Sequence, residues 1–256
     1  MLEQPRRIKR GWMNLRVSQV IHETLDTRTF YFVDHEDGGR AFDYRPGQYL
    51  TFRFDELGPK PIARSYTMSS SPCESDYVAV TIKEMHKGVV SQFFVQDVKI
   101  GDVLRARGPI GKFCYFSGQD QEHLAMIAAG SGVTPFTSML REYAPHLGEE
   151  GAPKRMTLLV SYRSTDDLIN WDLLQEVSKV PGIRIVTTLS RQDARDLGFL
   201  YKRIDADMLR SVFSEDLSKT TFMTCGPQEM MDLSANFLKE QGVPPQCIKI
   251  ESYETA

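Results

Sequence analysis

The run HLAMIAAGSGVTPFTSML, His123–Leu140, reads as a strand, a turn and a helix written end to end. Leu124–Ala129 is apolar without a break, the pattern of a strand covered on both faces. Gly130 and Gly132 let the backbone turn tightly and let a ligand approach with no Cβ in the way. Thr134 is placed to cap the helix, and Pro135 suits its first position. Free amides at such a helix start suit a pyrophosphate. A lone GxG also serves plain strand-to-helix geometry, and Pro135 stands where the third glycine of GxGxxG would be.

Outward from this run, the C-terminal half keeps the same grammar. Strand RMTLLVSYR is followed by helix LINWDLLQEVSKV, strand RIVTTLS by helix IDADMLRSVF, and strand TFMTCG by helix QEMMDLSANFLKEQG. CIKIESY closes the series. Strands that alternate with helices and are apolar throughout predict an α/β domain with a doubly wound parallel sheet. In such a sheet ligands bind beyond the carboxyl ends of the strands, where Gly130 and Cys225 both fall.

The N-terminal half is written differently. NLRVSQVIHET, TRTFYFVD, GQYLTFRF, SYTMSSS, YVAVTIKEM and DVLRARGP are short, β-branched and aromatic, and are separated by glycine and proline turns such as Asp37-Gly38-Gly39 and Arg45-Pro46-Gly47. They predict an antiparallel β-barrel, interrupted by a short helix at VVSQFFVQDV. The expected division is residues 1–118 for the barrel and 119–256 for the α/β domain.

Composition narrows the classes. A length of 256 residues, 41% hydrophobic and 25% charged, allows two domains with real cores. The net charge of −3 gives no reason to expect nucleic acid or an anionic membrane, although Arg6–Arg10 (RRIKR) is locally basic. No apolar run reaches the ~20 residues of a membrane helix and no secretory leader stands at Met1, so a cytoplasmic location is expected. Cys73, Cys114, Cys225 and Cys247 are far apart and form no CxxC pair, so they predict neither a metal site nor disulfides.

Six motifs, in order, carry a family likeness: RSYTMSS, HKGVVSQFF, GDVLRARGPIGKF, AAGSGVTPFTSML, SYRSTDDLINWDLL and TCGPQEMM. Together they resemble the ferredoxin–NADP⁺ reductase superfamily, and most of all the flavin reductase modules that serve oxygenases and hybrid-cluster proteins. The likeness runs from Trp12 to Tyr253. It implies an FAD-binding barrel and an NAD(P)H-binding domain, with a hydride passed from nicotinamide to flavin N5 and electrons released singly to a protein acceptor.

The resemblance also implies roles. Arg64 pairs with flavin phosphate, Ser65 belongs to the same R-S-Y-T segment, Tyr66 lies along the isoalloxazine, and Thr67 or Ser69 meets the ring edge near N5. Gly88, Val89, Val90 and Ser91 open a helix toward the pyrophosphate, with Lys83 adding charge. Gly130, Gly132, Thr134 and Pro135 hold the pyridine-nucleotide pyrophosphate. Cys225 sits beside the nicotinamide as a small side chain, framed by Gly226 and Pro227. Tyr253 stacks on the flavin, and Glu251 hydrogen-bonds near Cys225 or relays protons.

Arg163, Ser190 and Arg191 favour NADPH, whereas Asp166 and Asp167 pull toward NADH. The C-x4-C-x2-C of a plant-type [2Fe–2S] domain is absent. Either the flavoprotein stands free or a ferredoxin domain would begin just past Ala256; the expected acceptor is a ferredoxin, flavodoxin or oxygenase component, docked on basic residues such as Arg6–Arg10 and Lys83–Lys87. A reductase of free flavin or quinone, and a non-catalytic subunit that keeps the fold, are the alternatives.

Overall fold

The computed structural model describes residues 11–74, 76–214 and 217–253, so Arg6–Arg10 lies outside the described residues. The chain divides into two compact units. One runs to Cys114 and takes in Thr137–Glu142; the other holds Tyr115–Phe136 and the chain from Tyr143 onward.

Among the described residues, the first unit holds strands β1 (Trp12–Thr24), β2 (Thr27–Asp34), β3 (Tyr49–Phe54), β4 (Ile62–Thr67), β5 (Val78–Lys83) and β6 (Val103–Ile110), and helix α1 (Val89–Gln96). They form one sheet in the order β4-β3-β6-β1-β2-β5, with every pair antiparallel. Its edges meet just past β4, where Met68 bridges Val80 and Ser69 N–H donates to Ala79 O at 2.8 Å. The sheet thus rolls toward the expected barrel.

Alternation along the strands explains the core. Phe30 and Phe32 on β2, Leu50 and Phe52 on β3, and Val78, Val80 and Ile82 on β5 all turn inward. Helix α1 drives Phe94 into their centre, where its ring lies 5.2 Å from Phe52, 5.3 Å from Phe30, 5.4 Å from Tyr66 and 5.6 Å from Phe54, mostly edge to face.

Two local details depart from the sequence reading. Strand β1 is longer than expected and absorbs register shifts at Val17/Gln19 and His22/Thr24. Strand β4 stops at Thr67, and the serine run that follows leaves the ladder because its hydroxyls find other partners.

The second unit is a parallel sheet of β7 (His123–Ala129), β8 (Arg155–Tyr162), β9 (Ile183–Leu189), β10 (Leu200–Tyr201), β11 (Thr220–Cys225) and β12 (Ile248–Glu251), in the order β10-β9-β8-β7-β11-β12. Helices α2 (Thr134–Tyr143), α3 (Trp171–Val177), α4 (Ala206–Val212) and α5 (Gln228–Glu240) connect the strands, and Thr137–Glu142 of α2 belongs to the first unit. Strand order reverses between β7 and β11, which creates the crevice at their carboxyl ends.

Helix α3 is shorter than LINWDLLQEVSKV implies. Asn170 takes a left-handed φ of 51° as its N-cap, so Leu168 and Ile169 stay outside. At α2, Thr134 is already helical and its hydroxyl donates to Ser131 O at 2.7 Å, so it does not act as the expected N-cap, and Pro135 is the second helical residue. No helix among the described residues is long and apolar enough to cross a membrane.

Replacing Phe94 with Ala removes the ring at the centre of the first unit and is expected to cost about 3–5 kcal/mol in urea unfolding of that unit. Leu25, 98% exposed at the β1–β2 turn, is the control, and Leu25→Ala should stay within about 0.5 kcal/mol. Equal effects would mean that the aromatic cluster does not organise the barrel.

Candidate functional site

In the first unit, Arg64 stands exposed on β4, and its Nη1 donates to Ala63 O at 2.8 Å. Period two separates the neighbours: Ser65 turns to Thr51, with hydroxyls 2.9 Å apart, while Tyr66 packs toward Phe94 and Phe52. Burial pushes the Tyr66 phenol well above its ordinary range, with Arg64 opposing in part. It therefore stays neutral at physiological pH. Thr67 ends the strand opposite Tyr49 and is buried.

Each serine of the run that follows is held by a different element. Thr81 Oγ1 lies 2.9 Å from Ser69 Oγ. Ser70 Oγ lies 2.6 Å from Tyr44 Oη and accepts from Ala79 N–H at 2.8 Å, while Ser138 Oγ donates to Ser70 O at 2.6 Å. Ser71 Oγ donates to the buried carboxylate of Glu142, which also accepts from Cys73 N–H at 3.1 Å. Tyr44, Thr81, Ser138 and Glu142 were not singled out from sequence, where each reads as an ordinary strand or helix residue.

The second segment is a tight turn. Gly88 N–H donates to Met85 O at 2.8 Å, and Lys87 takes a left-handed φ of 65°. Ser91 Oγ is fully engaged, accepting from Met85 N–H at 3.0 Å and donating to Gly88 O at 2.9 Å. Ser91 therefore shapes the turn, and a Cβ on Gly88 would stand 2.5 Å from its oxygen. The first helical bond of α1 comes from Gln92 N–H, so the amides of Val89, Val90 and Ser91 point out of the helix start. Lys83 Nζ pairs with Asp26 Oδ1 at 2.7 Å. Burial alone would raise the Asp26 carboxyl, but the Lys83 ammonium and the Thr24 and Thr27 hydroxyls outweigh it and hold it below the ordinary value.

In the second unit the glycine turn is a single short helical turn, Gly130–Val133, with Gly130 at φ 53° and open space on its Cβ side. Gly132 is required by contact: a Cβ there would lie 2.2 Å from Cys225 O. Cys225 ends β11, fully buried, in register with Ala128 of β7 and Glu251 of β12. Burial, reinforced by the nearby Glu251 charge, pushes its thiol up to about 12 even though Tyr253 hydrogen-bonds the sulfur. Burial also raises the Glu251 carboxyl. Gly226, at φ 154°, passes close to Ala129 N, and Pro227 caps α5. The structure thus gathers Gly132, Cys225, Gly226, Glu251 and Tyr253, which are scattered in sequence.

At the ends of β8 and β9, Ser190 and Arg191 donate backbone N–H groups to Tyr162 O and Arg163 O, each at 2.9 Å. Arg163 and Arg191 stand exposed and adjacent. Asp167 is turned back into a capping box with Ser164, while Asp166 is exposed. Gln192, which the sequence reading passed over, fixes this corner by accepting from Thr165 N–H at 2.7 Å and Thr165 Oγ1 at 3.0 Å. A separate cavity of about 190 Å³, lined by His123, Arg155 and Thr220 among others, lies at the amino ends of the strands, away from this crevice.

Residues 14–115 match the family model of the oxidoreductase FAD-binding domain, and residues 126–236 match that of the oxidoreductase NAD-binding domain. The chain belongs to the ferredoxin–NADP⁺ reductase-like flavoproteins that join these two domains in this order. It is 31% identical over 230 residues to NADH oxidoreductase HCR of Escherichia coli (strain K12), an alignment covering 90% of this chain and 65% of the relative. It is 29% identical over 234 residues to a glycine betaine monooxygenase reductase subunit of Chromohalobacter salexigens, covering 91% and 61%. The chain therefore spans less than two thirds of either relative. Its fold matches the FAD/NAD-binding domain of a nitric oxide dioxygenase from Vibrio cholerae at TM-score 0.81 and 23% identity, over 94% of this chain and 98% of that one. An exposed guanidinium, outward amides and a neutral phenol fit the diphosphate and ring of FAD.

A thiol pushed to about 12 stays protonated at neutral pH. Iodoacetamide should therefore leave Cys225 unmodified in the native protein while exposed Cys73, itself raised to about 11, reacts slowly and faster as pH climbs. Peptide mass mapping reads the order. Rapid native labelling of Cys225 would mean an accessible thiolate and a nucleophilic role.

Proposed function

We propose that this protein is an FAD-dependent NAD(P)H reductase that supplies single electrons to a protein acceptor. The observation that carries the reading is the packing of Gly132 onto the Cys225 backbone at the strand-order reversal, with Glu251 and Tyr253 alongside. Bound FAD would supply the chemistry of accepting a hydride at N5 and releasing electrons one at a time. The chain's own part is positional. Arg64 and the amides of Val89, Val90 and Ser91 hold the diphosphate, and Tyr66 flanks the ring with Thr67 or Ser69 at its edge. Lys83 steadies the β5 end through Asp26.

Gly130, Gly132, Thr134 and Pro135 shape the seat for the nucleotide pyrophosphate. Cys225, small and uncharged, admits the nicotinamide close to its reaction partner without acting as a nucleophile. Gly226 and Pro227 shape its loop. Tyr253 hydrogen-bonds the thiol, and Glu251, its carboxyl raised by burial, stands beside it.

For the nucleotide, the exposed Arg163 and Arg191, joined by a backbone hydrogen bond beside Ser190, support NADPH, since a 2′-phosphate calls for cations. Asp167 does not oppose them, being held by Ser164. The printed name of the Escherichia coli relative carries NADH, so this preference rests on the arginine pair alone. The test is the visible spectrum of the purified protein, repeated anaerobically after each nucleotide. A flavin band that bleaches faster with NADPH is expected, and Arg64→Ala should bind markedly less FAD. A protein that stays colourless after FAD is supplied would overturn the reading.

For the acceptor, one face of the barrel supports an acidic protein such as a ferredoxin or oxygenase component. The Trp12 ring lies 5.1 Å from the Arg107 guanidinium, 5.4 Å from Arg105 and 5.9 Å from Arg53. Arg53 and Arg105 are direct cross-strand partners, a placement that costs stability, and Asp55 offsets it only in part. Reduction of an acidic ferredoxin should slow several-fold from low to physiological ionic strength, whereas an uncharged quinone should show no such loss. Equal salt response for both would remove this face from the docking surface.

A further inference from the structure

One face of the parallel sheet changes character at its amino end. Thr220, His123 and Arg155, the first residues of β11, β7 and β8, are direct register partners and so share that face. Two residues further on, Phe222, Ala125, Thr157 and Arg184 form the next row on the same side. Strands covered on both faces are ordinarily apolar throughout. Here the two rows carry two guanidiniums, an imidazole and two hydroxyls. Ala125 adds no bulk between Phe222 and Thr157. Val212 and Phe213, at the end of α4, complete the lining, and the Phe213 ring stands edge-on to Phe222 at 5.4 Å. Between them lies the cavity of about 190 Å³.

The hydrogen bonds fix the polarity of this wall. An arginine can only donate, so His123 Nδ1 accepts from Arg155 Nη2 at 3.1 Å. The ring proton of that tautomer sits on Nε2 and goes to Thr157 Oγ1 at 3.0 Å. Thr157 thus accepts, and among the described residues no other group takes its own hydroxyl proton, although the side chain is buried against the cavity. Arg184 Nη1 donates to Val212 O at 3.0 Å, which leaves the other edge of its fork for a second acceptor. The sheet side therefore offers donors and positive charge, while Phe222, Val212, Phe213 and Leu217 offer apolar surface.

We propose that this cavity binds a small monocarboxylate with an apolar body, about the size of benzoate. Arg155 and the Thr157 hydroxyl hold the carboxylate, Arg184 meets it from the exposed side, and the body lies against Phe222 and Val212. A neutral ligand without acceptors would leave the donors of the wall unsatisfied. A bare inorganic anion would leave the apolar side uncovered. The volume agrees, since an apolar cavity of roughly 150 Å³ already admits benzene. The site lies at the opposite end of the strands from the nucleotide crevice and is independent of the reductase reading.

The experiment is titration calorimetry of the full-length protein with benzoate, benzamide and inorganic phosphate in turn, with and without saturating NADP⁺. Benzoate should bind with a Kd below about 1 mM, within reach of a ligand of its size. Benzamide and phosphate should bind at least about tenfold more weakly. Arg155→Gln should weaken benzoate by about tenfold and Thr157→Val by about fivefold, the ordinary worth of a charged and a neutral hydrogen bond. Arg184→Gln, at an exposed position, should weaken it by about threefold and carries the test should Arg155→Gln fold poorly. NADP⁺ should leave benzoate binding unchanged. No binding at millimolar benzoate, equal affinity for benzamide or phosphate, displacement by NADP⁺, or variants that bind as wild type does would each overturn the site.

Discussion

The nucleotide-binding unit depends on one backbone approach. Gly132 lies so near Cys225 that no side chain fits between them. This contact ties the turn after β7 to the end of β11, the two strands between which the order reverses. Gly226 repeats the constraint one residue later, passing Ala129 N at a distance that a Cβ would bring to 3.1 Å. The result is a closely packed floor in which Cys225 is buried and burial raises both its thiol and the Glu251 carboxyl. Two small residues thereby set both the shape of the crevice and its electrostatics.

In the barrel the equivalent role falls to the serine run. Ser69, Ser70 and Ser71 look alike in sequence, yet they are tied to Thr81, to Tyr44 and Ser138, and to Glu142 respectively. A hydrophobic continuation of β4 would have extended the ladder; hydroxyls fasten the chain to three separate elements instead. The strand carrying Arg64 and Tyr66 is therefore held at its far end as well as along its pairing with β3.

Much of this was legible beforehand. Apolar runs and glycine turns gave the parallel sheet, and alternation gave the antiparallel one, because both depend on spacing within short windows. The motifs singled out Gly132, Cys225, Gly226, Glu251 and Tyr253, which the structure brings together at one crevice. What stayed hidden involved partners far apart in the chain. Glu142 meets Ser71 and Thr29 meets Thr81 across gaps that no local pattern encodes. The same holds for Asn170, whose left-handed cap shortens α3 although the apolar spacing runs on. β10, with only two paired residues, is too short to leave a period.

The central position of β7 also governs how the chain is made. One of its edges pairs with β8, about thirty residues later, but the other waits for β11, whose first residue lies 97 positions beyond its own (Thr220 against His123). At synthesis rates of about 5–20 residues per second the second edge is left without its partner for about 5–20 s. During that interval the most apolar strand of the sheet presents an open row of amides and carbonyls, and the nascent protein is at its most vulnerable to pairing with a neighbour.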